Sequence, residues 1–174
     1  MRLIRCLAIL MLFPLAALAK PAAPQLSAQI VAVEVGLFCA LPPMDSIPAP
    51  GTIAGLIHVP DGPLAFDWPG QRSVPATLGL AFGVKPRTQA GVGIITTETR
   101  VYRPGRAAPE TWTSDIGDTG DSASFFIFET EDELIPGIWA FEAWDGPTRL
   151  YRVEFEVVPA DDAIGIAQAC GAIS

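Results

Sequence analysis

Histidine occurs once in this chain, at position 58, and cysteine three times, at positions 6, 39 and 170. These scarcities narrow the chemistry. Any histidine-based triad has to use His58, which falls on the outward phase of a strand-like segment. No Gly-x-Ser-x-Gly elbow is present to supply a nucleophile, so an exposed strand histidine is the plain reading. A zinc site built from two cysteines and His58 needs a fourth ligand and a tight spacing that the sequence does not contain. There is no CxxC pair, phosphate-binding loop or dinucleotide fingerprint, and no repeat at a fixed period. Positive charge is also in short supply. Eleven Lys and Arg stand against 19 Asp and Glu, a formal charge of −8 at pH 7. That balance argues against nucleic acid or an anionic membrane surface as partner.

Long apolar runs are missing except at the start. Arg2 and Arg5 precede a run from Cys6 to Ala19, and Ala17-Leu18-Ala19 offers the small-x-small pattern that signal peptidase accepts. Broken by Pro14, this run is shorter than the ~20 residues that cross a bilayer, so a membrane anchor fits poorly. A lipoprotein signal needs its cysteine just after the apolar run, whereas Cys6 stands at its beginning. Residues 1–19 therefore read as a cleaved secretory signal, with the mature protein periplasmic or secreted and without a transmembrane segment. Residues 20–26 form a Pro/Ala-rich leader and 27–174 one domain of ordinary size. Loss of Arg2 and Arg5 makes the mature chain two units more negative. Its basic residues concentrate between Arg72 and Arg106 and its acidic ones between Glu110 and Glu133. In a sandwich those stretches can face each other, so the asymmetry does not require an external partner.

Cleavage also removes Cys6, leaving Cys39 and Cys170 in a compartment that oxidises thiol pairs. A Cys39–Cys170 disulfide is expected, tying the C-terminal tail to the first strand; two buried free thiols are the alternative. Cys39 is in phase with Val31, Val33, Val35 and Leu37 on one face of the segment SAQIVAVEVGLFC.

Alternation continues through the rest of the chain. In RLYRVEFEVVP, Tyr151, Val153, Phe155 and Val157 face inward while Arg152, Glu154 and Glu156 face out. Leu78, Leu80, Phe82 and Val84 alternate with a Gly/Ala face that suggests close approach by another backbone or a flat sheet. The segment ALPPMDSIPAPG, rich in proline, reads as a long loop. GIWAFEAW and RLYRVEFEVVP, joined by Asp145-Gly146-Pro147, form a hairpin with Trp139 and Phe141 as core anchors. DDAIGIAQAC is the one short helix, with Asp161 or Asp162 as N-cap. Seven to eight short strands between turn signals indicate an all-β, immunoglobulin- or fibronectin-like antiparallel sandwich with a short C-terminal helix or tail.

The run SFFIFETEDELIPGIWAFEAWDGPTRLYRVEFEVVP with its Ala-Cys-Gly tail, together with EVGLFCALPP and PAPGTIAGLIHVP, resembles a bacterial exported family known as domain of unknown function 3859. The likeness extends from about Val31 to Gly171. It implies a β-sandwich and export, and brings with it no catalytic residue.

Three sets of residues are candidates for a site. Asp115, Asp118 and Asp121 are spaced by three in the Gly-rich stretch SDIGDTGDSAS, the residue types a calcium ion takes, although they are also ordinary turn residues. The cluster Glu129 to Glu133 reads as a polar loop between strands; a glycosidase pair needs one acid in an apolar pocket. Trp68 and Trp112 fall in or beside loops, where they can stack on a sugar, anchor a protein or plug a sandwich rim. The expectation is a non-catalytic binding module that contacts an envelope protein or glycan. A calcium-dependent surface protein and a hydrolase with scattered carboxylates are the alternatives.

Overall fold

In a computed structural model of the chain, residues 20–40 and 44–171 are described, so the expected secretory signal over 1–19 lies outside the described residues. Strands β1 (Gln25–Leu26), β2 (Ile30–Cys39), β3 (Asp45–Pro48), β4 (Leu56–Val59), β5 (Trp68–Pro69), β6 (Ser73–Pro75), β7 (Leu80–Thr88), β8 (Ile95–Tyr102), β9 (Glu110–Ile116), β10 (Ser124–Ile127), β11 (Gly137–Asp145) and β12 (Thr148–Val158) precede one helix, α1 (Ile164–Gly171). One sheet runs β10-β7-β2-β5. The other runs β1-β12-β11-β8-β9, with β6 parallel to β12. Leaving aside the two- and three-residue pieces β1, β5 and β6, the two sheets divide seven strands three against four. This is the antiparallel sandwich of immunoglobulin and fibronectin character that the alternation indicated.

Between the sheets lies an aromatic core. Phe82 of β7 is fully buried, and the rings of Phe126, Phe128, Trp139, Phe141 and Phe155 surround it with centroids 5.2–6.2 Å away. Several of these pairs meet edge to face, the arrangement a ring quadrupole favours. Tyr151, Val153, Phe155 and Val157 all point into this core from β12 as expected. Cys39 and Cys170 are disulfide-bonded with their Cα atoms 5.1 Å apart, which ties α1 to the end of β2. Of the clustered charges, Arg103 and Glu110 do pair, at 2.6 Å.

One local reading, the close approach of another backbone at the Gly/Ala face, holds, and three change. The Gly/Ala face of β7 is buried, because Phe38, Leu64, Ala81 and Phe125 form a second small core on the outer side of that sheet. A Cβ at Gly83 would collide with the Ser124 carbonyl and Phe125, so glycine is required by the approach of β10. Val31 and Leu78 leave the inward row: a bulge between Ile30 and Ala32 turns Val31 outward, and Leu78 precedes the first residue of β7. The Pro-rich segment contains β3, whose Pro48 ends a two-stranded edge where the missing N–H costs little. At the other end of the chain, a 3-10 turn over Ala160–Ala163 precedes α1, so Asp161 and Asp162 lie within that turn and do not cap it.

Candidate binding cleft

Closing seven strands into two sheets leaves two edges side by side. Among the described residues β9 pairs only with β8, and β10 only with β7. The β3–β4 hairpin, which belongs to neither sheet, spans this open side. Three contacts hold it there. The Thr111 N–H donates to the Gly51 carbonyl at 3.0 Å, the Ile53 N–H donates to Glu110 Oε2 at 2.9 Å, and His58 Nε2 meets Glu129 Oε1 at 3.0 Å. Gly51 is needed at the first contact, since a Cβ would run into Thr111. Glu110 is in turn fixed by Arg103, whose guanidinium lies over the Phe126 and Trp139 rings at 5.2 and 5.5 Å. Gly51 and Ile53 therefore lock the turn of the hairpin to β9, and His58 ties the far part of β4 to Glu129.

Beyond the turn the hairpin stands off from β9. A cleft of about 390 Å³ separates the hairpin from β9 and from the approach to β10. Ile57, His58 and Val59 form one wall, Trp112 to Asp115 form the other, and Asp121, Ala123 and Phe125 complete it. Behind the β9 wall is a seam of hydroxyls set into the core. Ser114 Oγ lies 2.7 Å from Thr99 Oγ1 and 3.2 Å from Thr97 Oγ1, and Thr99 Oγ1 is 3.4 Å from Ser124 Oγ. Such a chain satisfies polar atoms that would otherwise be costly beside an apolar core.

The residues singled out in the sequence are distributed unequally around this cleft. Trp112 is half-buried, packing against the main core while it lines the cleft. Trp68 is on β5 beside Leu37, at the end of its sheet opposite β10, so the two tryptophans do not share a site. Asp115 and Asp121 both line the cleft, with Asp115 Oδ1 accepting from Thr96 Oγ1 at 2.7 Å. Asp118 is turned elsewhere, and its Oδ2 accepts the Gly91 N–H at 3.5 Å. Among the described residues no three His, Cys, Asp or Glu side chains are gathered to hold a metal ion. His58 is half-buried and paired, which departs from the exposed histidine expected; none of the hydrogen bonds among the described residues joins it to a hydroxyl or thiol.

Glu129 to Glu133 is more ordered than a loop. Glu131–Glu133 forms a 3-10 turn, and the Glu133 carboxylate accepts the N–H groups of Glu129 and Thr130 at 2.7 and 3.1 Å. A bond from the Thr130 hydroxyl holds the Asp132 carboxyl below its ordinary range. Another acidic group is remote from the cleft. Glu142 of β11 is buried and receives Arg152 at 2.7 Å, Trp144 Nε1 at 2.8 Å and Arg149 at 3.2 Å. Burial pushes its carboxyl up, but those hydrogen bonds and positive charges outweigh it and leave the group below its ordinary value. Arg100 stacks on Trp144 at 4.5 Å and covers the same network.

His58 lies on a strand, β4, as its strand-like segment indicates; what the sequence reading missed is β3 within the proline-rich segment, and with it the hairpin that places Ile47, Ile57 and Val59 along the cleft. The available signal for β3 was its position just before a strand-like segment across a short Pro/Gly turn, the arrangement of an edge hairpin. Among the described residues no helix is long and apolar enough to cross a membrane. No family model, curated protein or solved structure matches the chain.

Proposed function

We propose that the chain is an exported, non-catalytic binding domain of the bacterial cell envelope, and that its contact surface for an envelope protein or glycan is the cleft beside the β3–β4 hairpin. The observation that carries this reading is the cleft itself. It combines one tryptophan edge, apolar Ile57, Val59 and Phe125, and the carboxylates of Asp115 and Asp121. An apolar surface with a few placed polar groups is the usual composition of a recognition site. The anchoring of the hairpin supports it, since a wall held at Gly51, Glu110 and His58 needs little ordering on binding. Export is supported by the amino-terminal run from Arg2 to Ala19 and by the Cys39–Cys170 bond, which belongs in an oxidising compartment. The resemblance to domain of unknown function 3859 points the same way.

The test is in-cell photocrosslinking in the native host, with a photoreactive residue at Val59 on the cleft rim or at Thr148 on the β11–β12 turn. Both positions are exposed. A discrete adduct from position 59 and none from position 148 is expected. Equal labelling from both positions, or none from position 59, would overturn the assignment.

A further inference from the structure

Residues of an antiparallel ladder direct their backbone groups alternately toward the partner strand and away from it. In β9 the alternation can be assigned, because the Thr111 N–H leaves the ladder to reach the Gly51 carbonyl. The β8–β9 register is unbroken from Ile95↔Ile116 to Val101↔Glu110. Thr113 and Asp115, two and four residues on, therefore direct their N–H and C=O groups the same way, out of the sheet and toward the hairpin. Gly51 occupies the first outward position. At Thr113 and Asp115 none of the backbone hydrogen bonds among the described residues closes the outward edge. Both residues are exposed, and both line the cleft.

The geometry points to a strand-addition site: the cleft takes an extended segment of another polypeptide, which pairs with β9 through the backbone of Thr113 and Asp115. This inference rests on the cleft being the contact surface and specifies its occupant. An unpaired edge inside a groove supplies main-chain hydrogen bonds, and flanking pockets read alternate side chains. Here one row of the incoming strand meets Trp112 and Phe125, and asks for apolar residues. The other row passes Asp115 and Asp121, and asks for Lys or Arg. A second copy of this chain fits poorly, because antiparallel pairing of two β9 edges would set the acidic cleft residues Asp115 and Asp121 of two net-negative proteins near each other and supply no basic row. A glycan would use the tryptophan edge, yet has no need of a strand's spaced donors and acceptors.

The experiment selects phage-displayed random dodecapeptides on the full mature protein and remakes the enriched sequences as synthetic peptides. Alternating apolar and basic residues are expected in them. On binding, the Thr113 and Asp115 amides should become protected from hydrogen exchange. N-methylation of alternate peptide nitrogens, and separately Thr113→Pro, should each weaken binding about tenfold or more. Proline at 113 removes an N–H that β8 does not use, so the variant is expected to fold; the N-methyl peptides give the same readout on the unaltered protein. Binding without protection of those two amides, or undiminished by N-methylation, would overturn strand addition. Selection of no peptide while chitin or peptidoglycan fragments shift Trp112 fluorescence would also overturn it and leave the cleft as a binding surface. Failure of every probe, together with no adduct at position 59, would remove both readings.

Discussion

The Cys39–Cys170 bond closes a separation of 131 residues, nearly the whole described domain. Cross-linking removes loop entropy from the unfolded ensemble, and for a loop of that length the relation with ln n gives about 5 kcal/mol at 25 °C. The bond also holds α1, which docks on the sandwich through Ala167, Cys170 and the half-buried Ile166. The double variant Cys39→Ala/Cys170→Ala should therefore lose 3–5 kcal/mol, on the order of the range found for native disulfides in small secreted domains. In urea, where m for a domain of this size is about 2 kcal/mol per molar, the midpoint should fall by roughly 1.5–2.5 M. If the unfolded state carries the effect, m should rise in the variant, because an untethered chain exposes more surface. A midpoint shift under about 0.5 M, some 1 kcal/mol, would show that the cross-link is not what limits unfolding. Alkylation of both thiols in native protein without reductant would refute the bond itself.

Phe82→Ala should cost about 3–5 kcal/mol in the same assay, since five aromatic rings lose their common neighbour, whereas Leu78→Ala, at an exposed position, should stay within about 0.5 kcal/mol; equal effects would contradict the core assignment. Glu142 predicts a pH dependence. Its folded carboxyl lies below the ordinary value of 4.5, so its stabilisation is fully present above that pH and is lost as pH falls through the folded value. The stability difference between wild type and Glu142→Gln should be about 1–3 kcal/mol at pH 7, with Arg149 and Arg152 partly solvated, and should shrink below pH 4.5. A difference unchanged from neutral pH to well below 4.5 would assign the network no electrostatic role.

Where one face of a strand meets the core and the other meets water, period two in the sequence is sufficient. β12 is such a strand, and its four inward residues are legible without coordinates. β7 is not, because its sheet is covered on both sides; Ala81 and Gly83 are small to admit Phe125, and small size on a strand does not reveal which neighbour demands it. Val31 was misplaced by a bulge, a one-residue event that leaves no mark on composition. β3 was hidden by its prolines, which argue against a central strand but not against an isolated edge pair. The disulfide was legible from a cysteine count, two once Cys6 is set aside with the expected secretory signal, and not from geometry.

The cleft depends on a different kind of information. His58, Trp112, Asp115 and Asp121 each attract notice in the sequence, yet nothing local distinguishes Asp115, which lines the cleft, from Asp118, which bonds Gly91. What joins them is topology. A three-on-four sandwich leaves β9 and β10 as neighbouring edges, and an uncovered edge invites uncontrolled pairing. The long connection between β2 and β7 covers part of that opening, with Gly51 closing the edge at Thr111. Had the hairpin continued along β9 in the same manner, Thr113 and Asp115 would also be sealed and no cleft would remain. The hairpin instead stands off beyond Thr111, with Ile57 and Val59 across the gap from Trp112. A covering that stops after one outward position confines the exposed edge to a groove with walls, where only a narrow extended segment of matching chemistry can reach it. Such confinement limits indiscriminate edge pairing while leaving two residues of backbone open for the proposed strand addition.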